Sequence, residues 1–286
     1  MKPVSRNILI TGASTGIGYG AARQFIQRGY TVFGSVRNQA DAHRLQAEFG
    51  KNFTPLLFDV TDEKAVNAAA SQLTKQLKDE GLGGLINNAG IAFGGPLQHQ
   101  PIETIQHHFD VNVFGLFRVT QAFLPLLGAR SGHSVQPGRI QNISSVNGKV
   151  AIPFMGAYVG SKHALEGMSH SLRRELRLYG IDVVIVGPGS VKTPIWQKGV
   201  DISPYENTAY YPAMQWFLKQ TRAAEERGLS IDYLGERIVH IHETPNPKIR
   251  YALVPNKLTS WILPRLLPDR LFDRILERLS GLRYKP

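Results

Sequence analysis

Two groups of residues in this 286-residue chain have the types and spacing to do chemistry. The first is Tyr158-Val-Gly-Ser-Lys162, with Ser145 standing 13 residues ahead of the tyrosine. Residues four apart on a helix share one face, one turn apart, which makes the phenol and the ammonium neighbours. A phenol titrates near about 10 and exchanges protons poorly at neutral pH. An adjacent cation favours the phenolate, and every tenfold gain in that preference corresponds to about 1.4 kcal/mol. Ser145 follows a strand-like run, where its hydroxyl can hold a substrate oxygen. Taken alone, the pair also suits an ordinary Tyr-Lys contact on an amphipathic surface. The second group is Thr11-Gly12-Ala13-Ser14-Thr15-Gly16-Ile17-Gly18, which runs from an apolar segment into a helical one. Glycines permit a tight turn and close approach of a pyrophosphate, and a helix N-terminus offers free N–H groups to the anion. The spacing is G-x-x-x-G-x-G rather than the usual dinucleotide G-x-G-x-x-G.

Positioning these groups requires strands that end where they begin. β-branched runs over 7–10, 31–36, 53–58, 84–87, 139–143, 182–186 and 249–254 read as strands. Helical patterns cover 17–28, 39–49, 63–78, 102–124, 157–178 and 232–242. Alternation of this kind predicts an α/β fold: one Rossmann-like, doubly wound, parallel seven-stranded sheet with helices on both faces, in a single domain over 1–286. Two insertions interrupt the rhythm, a Gly/Ser/Pro-rich loop at 128–138 and an aromatic-rich segment at 194–229, within a substrate-loop insertion spanning 190–230. Long loops at the carboxyl ends of such strands usually carry function. Beyond the last strand, 255–286 forms an extension. After Pro268, Leu271, Phe272, Ile275, Leu276 and Leu279 fall on one helical face, while Arg270, Arg274, Arg278 and Arg283 occupy much of the rest. Such a helix can pack over residues 196–217 as part of a roof, pack on its own domain or a partner subunit, or lie on an acidic membrane surface.

Composition narrows the classes. There is no cysteine, which removes disulfides and thiolate metal sites, and the scattered histidines lack the carboxylate partners of a metal centre. No apolar run approaches the about 18 residues of a membrane span, and Met1 opens a short polar start unlike a signal peptide. A cytoplasmic protein is expected, with surface contact to a membrane as an option. The net charge of +11 suits acidic partners or a plainly solvated basic surface. No Lys/Arg-dense stretch with interleaved aromatics points to nucleic acid.

Together the two groups make the chain resemble the classical branch of the short-chain dehydrogenase/reductase superfamily, closest in character to its steroid- and retinol-type members. The matching pieces, in order, are Thr11 through Gly18, Asp59-Val60, Asn87-Asn88-Ala89-Gly90, Asn112, Ser145, Tyr158 with Lys162, and Pro188-Gly189-x-Val191-x-Thr193. The resemblance implies that Tyr158 exchanges a proton with the substrate oxygen while a nicotinamide exchanges hydride with its carbon. It implies that Lys162 lowers the Tyr158 pKa and binds the nicotinamide ribose, that Ser145 orients the substrate, and that Asn112 supports a water relay. It assigns cofactor contacts to Gly12, Ser14, Thr15, Gly16, Ile17 and Gly18, to Asp59 and Val60 at the adenine, and to Asn88, Ala89 and Gly90. Pro188, Gly189, Val191 and Thr193 would hold the carboxamide end. Val36 stands where NAD-type members carry a carboxylate and Arg37 follows, which favours NADP(H) over NAD(H). Asp41, the nearest acid, is spaced from Asn38 as in a helix cap. The expected function is carbonyl/alcohol interconversion on a small lipophilic substrate by a homodimer or homotetramer. The alternatives are a 3-oxoacyl carrier-protein reductase and, with less support because Tyr158 and Lys162 are both present, a non-enzymatic NADP sensor.

Overall fold

The computed structural model describes residues 4–193 and 201–284. Its seven strands are β1 (Asn7–Ile10), β2 (Thr31–Val36), β3 (Phe53–Leu57), β4 (Gly84–Asn87), β5 (Arg139–Ile143), β6 (Asp182–Pro188) and β7 (Arg250–Leu253). All pair in parallel, in the order β3-β2-β1-β4-β5-β6-β7. Every residue of β1 and β4 is buried, as strands covered on both faces must be. The strand order reverses beside β1, between β2 and β4, and it is there that such sheets open a crevice at their carboxyl ends.

Helices α1 (Gly16–Gln27), α2 (Gln39–Phe49) and α8 (Ile231–Glu243) bury Ala21, Phe25, Leu45, Leu234 and Ile238 against one face of the sheet. On the other face, α3 (Glu63–Leu77), α5 (Leu116–Leu127) and the end of α6 (Gly156–Glu175) contribute Val66, Leu73, Val119 and Phe123, with Leu176 just beyond. Capping follows local rules: Asn38, Asp62 and Ser230 each accept from the backbone N–H three residues on. Helices α1 and α8 approach so closely that a Cβ on Gly235 would stand 2.4 Å from the Gly20 carbonyl oxygen.

Beyond shifts of one to three residues at element ends, the architecture departs from the sequence expectation in four places. The helix expected over 102–124 is divided: α4 (Ile102–Phe109) passes through a π-helical turn, Asp110–Gly115, into α5, which ends at Leu127 rather than 124. The 128–138 loop precedes β5, so it lies at the amino ends of the strands, away from the crevice, where Ser134 bonds the Asp79 carbonyl. The aromatic insertion contains a helix that its composition hid, α7 (Tyr211–Glu226), and its ends meet where Val191 bridges Leu229. Residues 194–200, Trp196 among them, lie outside the described residues. Finally, the extension forms a short α9 (Leu263–Leu266) ahead of α10 (Asp269–Ser280), the helix that the pattern after Pro268 predicts.

One half-buried histidine makes stability depend on acid. His242 on α8 packs edge-on against Phe25 and Tyr30, with ring centres at 5.4 and 5.6 Å, and its Nδ1 is sealed without a hydrogen-bond partner. Burial, then the Arg139 charge, lowers its pKa to about 4. A histidine of the unfolded chain titrates near about 6.5, so below that pH protons bind the unfolded state first. The stabilisation is complete above about pH 6.5 and is lost as pH falls through 4. Full burial would make this about 3 kcal/mol; the side chain is only part-buried, so about 2 kcal/mol is expected. Urea unfolding between pH 7 and 4 should show His242→Gln losing less stability than the parent by that amount. Parallel losses in the two proteins would refute the assignment.

Candidate active site

The crevice begins at the turn between β1 and α1. Gly12 and Gly16 hold φ of +65° and +58°, which only glycine adopts without strain. A Cβ on Gly18 would stand 2.3 Å from the Gly12 carbonyl oxygen and 2.5 Å from Asn88 Nδ2, so the turn closes too tightly for any other residue. Thr11 and Asn88 lock it to the end of β4. Thr11 Oγ1 accepts from the Asn88 and Ala89 N–H groups at 2.9 and 3.0 Å, and Asn88 Nδ2 donates to the Thr11 and Gly12 carbonyls. The N-cap Thr15 makes no side-chain cap bond, which leaves first-turn N–H groups of α1 to an anion. This shape and donor set fit the pyrophosphate of a dinucleotide.

Past the turn, Val36, Arg37, Asp59 and Val60 line the crevice at the ends of β2 and β3. Asp59 accepts from both the N–H and hydroxyl of Thr61, at 2.9 and 2.8 Å. Arg37 is exposed. Asp41 is occupied elsewhere: its N–H is capped by Asn38 at 2.8 Å and its carboxylate pairs with Arg44 at 3.0 Å. The same Arg44 guanidinium donates to the Ser14 carbonyl at 2.7 Å, which brings a second cation to this corner. No motif marks Arg44, and only the packing of α2 beside the glycine turn finds it.

The proton-handling group lies on the other side of the crevice. Tyr158 and Lys162 are on α6, Ser145 follows β5, and all three are buried and line the cleft, whose volume is near 410 Å³. Lys162 Nζ stands 5.8 Å from the Tyr158 ring centre and donates to the Ile143 carbonyl at 2.9 Å. Burial lowers its pKa to about 8, partly offset by the Glu166 carboxylate. For Tyr158 the direction is opposite to the one the resemblance implies. Burial raises its pKa, and it is a hydrogen bond with Ser145 that pulls it back down. The phenol is held in a dry site, where the anion is costly.

Asn112 lies in the π-helical turn, whose widened geometry is common at functional sites. Its amide accepts from the Ile91 N–H at 2.9 Å and donates to the Ile91 carbonyl and Ser161 Oγ, both at 3.0 Å. It thereby ties the loop after β4 to α6, behind the cleft wall. Gly90 faces it closely, a Cβ there meeting Asn112 Oδ1 at 3.1 Å. Ser14, Thr15, Ile17, Ala89, Pro188, Gly189, Val191 and Thr193 complete the lining; Gly18 and Asn112 are not on the cleft surface but support it. Sequence reasoning missed the wall formed by Ile91, Phe93, His107 and Val111. It read Glu166 only as part of the Leu165-Glu166-Gly167 run after Lys162, a steroid- and retinol-type feature, and gave Arg250 no role. Beside Tyr158 the insertion supplies an apolar cluster, in which Tyr205, Met214 and Phe217 pack on Phe154 and Met155.

The description short chain dehydrogenase fits residues 6–201 as a family model. A protein of Ornithobacterium rhinotracheale named NADPH-dependent 3-dehydrocapnine reductase is 38% identical over 271 residues, covering 94% of this chain and 95% of that one. The human dehydrogenase/reductase SDR family member 9 is 32% identical, covering 94% of this chain and 86% of its own. Among solved structures, a short-chain dehydrogenase from Streptomyces avermitilis matches 98% of this chain and 99% of its own, with a TM-score of 0.79 and 26% identity.

Proposed function

The chain belongs to the short-chain dehydrogenase family of oxidoreductases, which act on alcohols and carbonyls with NAD(P), and we propose that it is an NADP(H)-dependent reductase of apolar ketones or aldehydes. The observation that carries this reading is the convergence of Tyr158, Ser145 and Lys162 on a cleft whose far end is the glycine turn. A nicotinamide dinucleotide bound there supplies the hydride. Gly12 to Gly18 and the N-terminus of α1 hold its pyrophosphate, and Asn88, Ala89 and Gly90 its middle. Asp59 and Val60 contact the adenine, and Pro188, Gly189, Val191 and Thr193 contact the carboxamide end. Ser145 Oγ holds the carbonyl oxygen, Tyr158 gives it a proton, and Lys162 binds the ribose and replaces that proton with help from Asn112. A phenol raised by burial keeps its proton at neutral pH, which suits the acid of a reduction; the reverse reaction needs the phenolate and gains as pH rises.

NADP(H) is supported by Arg37 and Arg44 at the corner where a 2′-phosphate would sit, by a capped and ion-paired Asp41, and by the NADPH dependence named for the Ornithobacterium relative. An apolar substrate is supported by the Phe154, Met155, Met214 and Phe217 cluster beside Tyr158. Oligomers are proposed to form through α5 and α6, whose neighbourhood exposes Phe114 and Met168. NADPH oxidation over a panel of steroids, retinoids, aliphatic ketones and acyl thioesters tests the reading. Turnover confined to acyl thioesters would replace it with the carrier-protein alternative.

The extension is proposed to do two things. Phe272 and Leu276 of α10 are half-buried and Leu282 joins the cluster of Phe217, which supports a part in the roof. The opposite edge leaves Leu271, Ile275 and Leu279 at 43%, 37% and 57% exposure. Helical geometry sets Arg270, Arg274 and Arg278 beside them. Among the described residues no helix is long and apolar enough to cross a membrane, and the contact proposed for α10 is one at the lipid surface. Truncation after Pro268 is expected to raise KM several-fold for bulky apolar substrates and little for small ketones, and to abolish co-sedimentation with anionic vesicles. Equal changes in KM remove the roofing role; vesicle binding unaffected by truncation removes the membrane role.

A further inference from the structure

Three consecutive residues at the end of β5 are each held by a charged side chain from another element. Lys162 Nζ donates to the Ile143 carbonyl at 2.9 Å, Ser144 Oγ donates to Glu166 Oε1 at 2.8 Å, and Arg250 Nη2 donates to the Ser145 carbonyl at 2.9 Å. Glu166 and Arg250 are joined in turn: Arg250 Nε reaches both carboxylate oxygens at 3.0 Å and Nη2 reaches Oε1 at 2.8 Å. Glu166 stands on α6 one turn beyond Lys162, and Arg250 opens β7. The carboxylate is fully buried, with Lys149 Nζ at 3.4 Å as its second cation.

Space for the pair is built into two other elements. A Cβ on Gly148 would stand 2.4 Å from Glu166 Oε1, and one on Gly187 would stand 2.6 Å from Arg250 Nη2. The guanidinium is covered by the Trp261 ring of the extension, 4.1 Å away, and Arg265 lies 4.4 Å from the same ring. A buried ion pair is commonly no more stable than a packed apolar pair, so stability alone does not account for this arrangement. Its geometry does. The Ser145 hydroxyl is set by the short turn Val146–Gly148, accepting from the Asn147 N–H at 3.1 Å, and Arg250 fixes the peptide from which that turn starts.

We propose that Glu166 and Arg250 are positioning residues that lock the Ser144 side chain and the Ser145 backbone, so that the Ser145 hydroxyl meets both Tyr158 and the substrate oxygen, with Trp261 as the outer wall of the lock. The proposal rests on the reading of Ser145 as the group that orients the substrate. It differs from a purely structural role in one measurable respect: its effect on turnover must pass through Ser145.

The test is a double-mutant cycle in the full-length enzyme. A single change such as Arg250→Met strands a buried carboxylate and can prevent folding, so Glu166→Met and Arg250→Met are made together. The expected result is a folded protein whose NADPH affinity stays within about threefold and whose kcat falls by about 10²-fold, the scale set by misplacing a reacting group by an ångström. In a Ser145→Ala background the same pair is expected to cost less than about threefold more. Losses that multiply in that background, or an unchanged kcat, would overturn the lock. Ser145→Ala leaving turnover intact would instead remove the reading beneath it, so the two failures are distinct. If the paired variant does not fold, Arg250→Lys, which keeps a cation against Glu166 and loses the guanidinium fork that reaches the Ser145 carbonyl, carries the same cycle with the same criterion.

Discussion

Tyr158→Phe is expected to lower turnover by about 10²–10⁴-fold while leaving cofactor affinity nearly unchanged. The ring stays, so the apolar packing against Phe154 and Met155 stays with it. What goes is one oxygen, the atom hydrogen-bonded to Ser145, on a residue that lines the cleft. A lost general acid acts on the chemical step, so kcat and kcat/KM fall together and NADPH binding, measured by fluorescence titration, does not. The phenol's raised pKa adds a pH criterion. Reduction by the parent holds through neutral pH, and alcohol oxidation by the same enzyme climbs on the alkaline side. Near-parental turnover by Tyr158→Phe on every active substrate would refute the mechanism.

Arg37→Asp is expected to weaken NADPH binding by about 10²-fold and NADH binding by no more than about threefold. A charge-assisted hydrogen bond to phosphate contributes about 1.5–3 kcal/mol, and the introduced carboxylate adds repulsion against the same dianion. The selectivity is the informative part. NADH carries a hydroxyl where NADPH carries the phosphate, and the new aspartate can accept from that hydroxyl. Arg44 limits the loss, because its guanidinium already sits on the Ser14 carbonyl at the same corner. Titrating both cofactors into the unmodified protein is the direct check, and tighter binding of NADH would sink the assignment.

Most of the fold was legible in the chain because its signals are short-range. β1 and β4 read as buried runs, α2 begins at the Asn38 cap as its spacing predicts, and the helix after Pro268 falls where its apolar period places it. The glycine turn was equally plain, since a positive φ at Gly12 and Gly16 is a local requirement. Elements were missed where a local pattern was ambiguous. Aromatic residues at 210–217 obscured α7, and nothing in Asp110-Val-Asn-Val-Phe-Gly announces a π-helical turn.

The candidate site divides along the same line. Tyr158 and Lys162 are four apart on one helix, so their proximity is a property of the backbone that a sequence states outright. The direction of the Tyr158 pKa is not, because it depends on how much of the rest of the chain closes over the ring. Glu166 and Arg250 are 84 residues apart, and nothing in the local sequence of either points to the other. They meet only because β7 pairs with β6 and β6 with β5, which carries Arg250 across the sheet to the strand end that Ser145 continues. The stripe on α10 is likewise local, yet which of its residues are covered was decided by where α7 lies. Periodicity and turn chemistry are written within a few residues. Burial, charge pairing and solvent access are sums over neighbours that only the packed chain supplies.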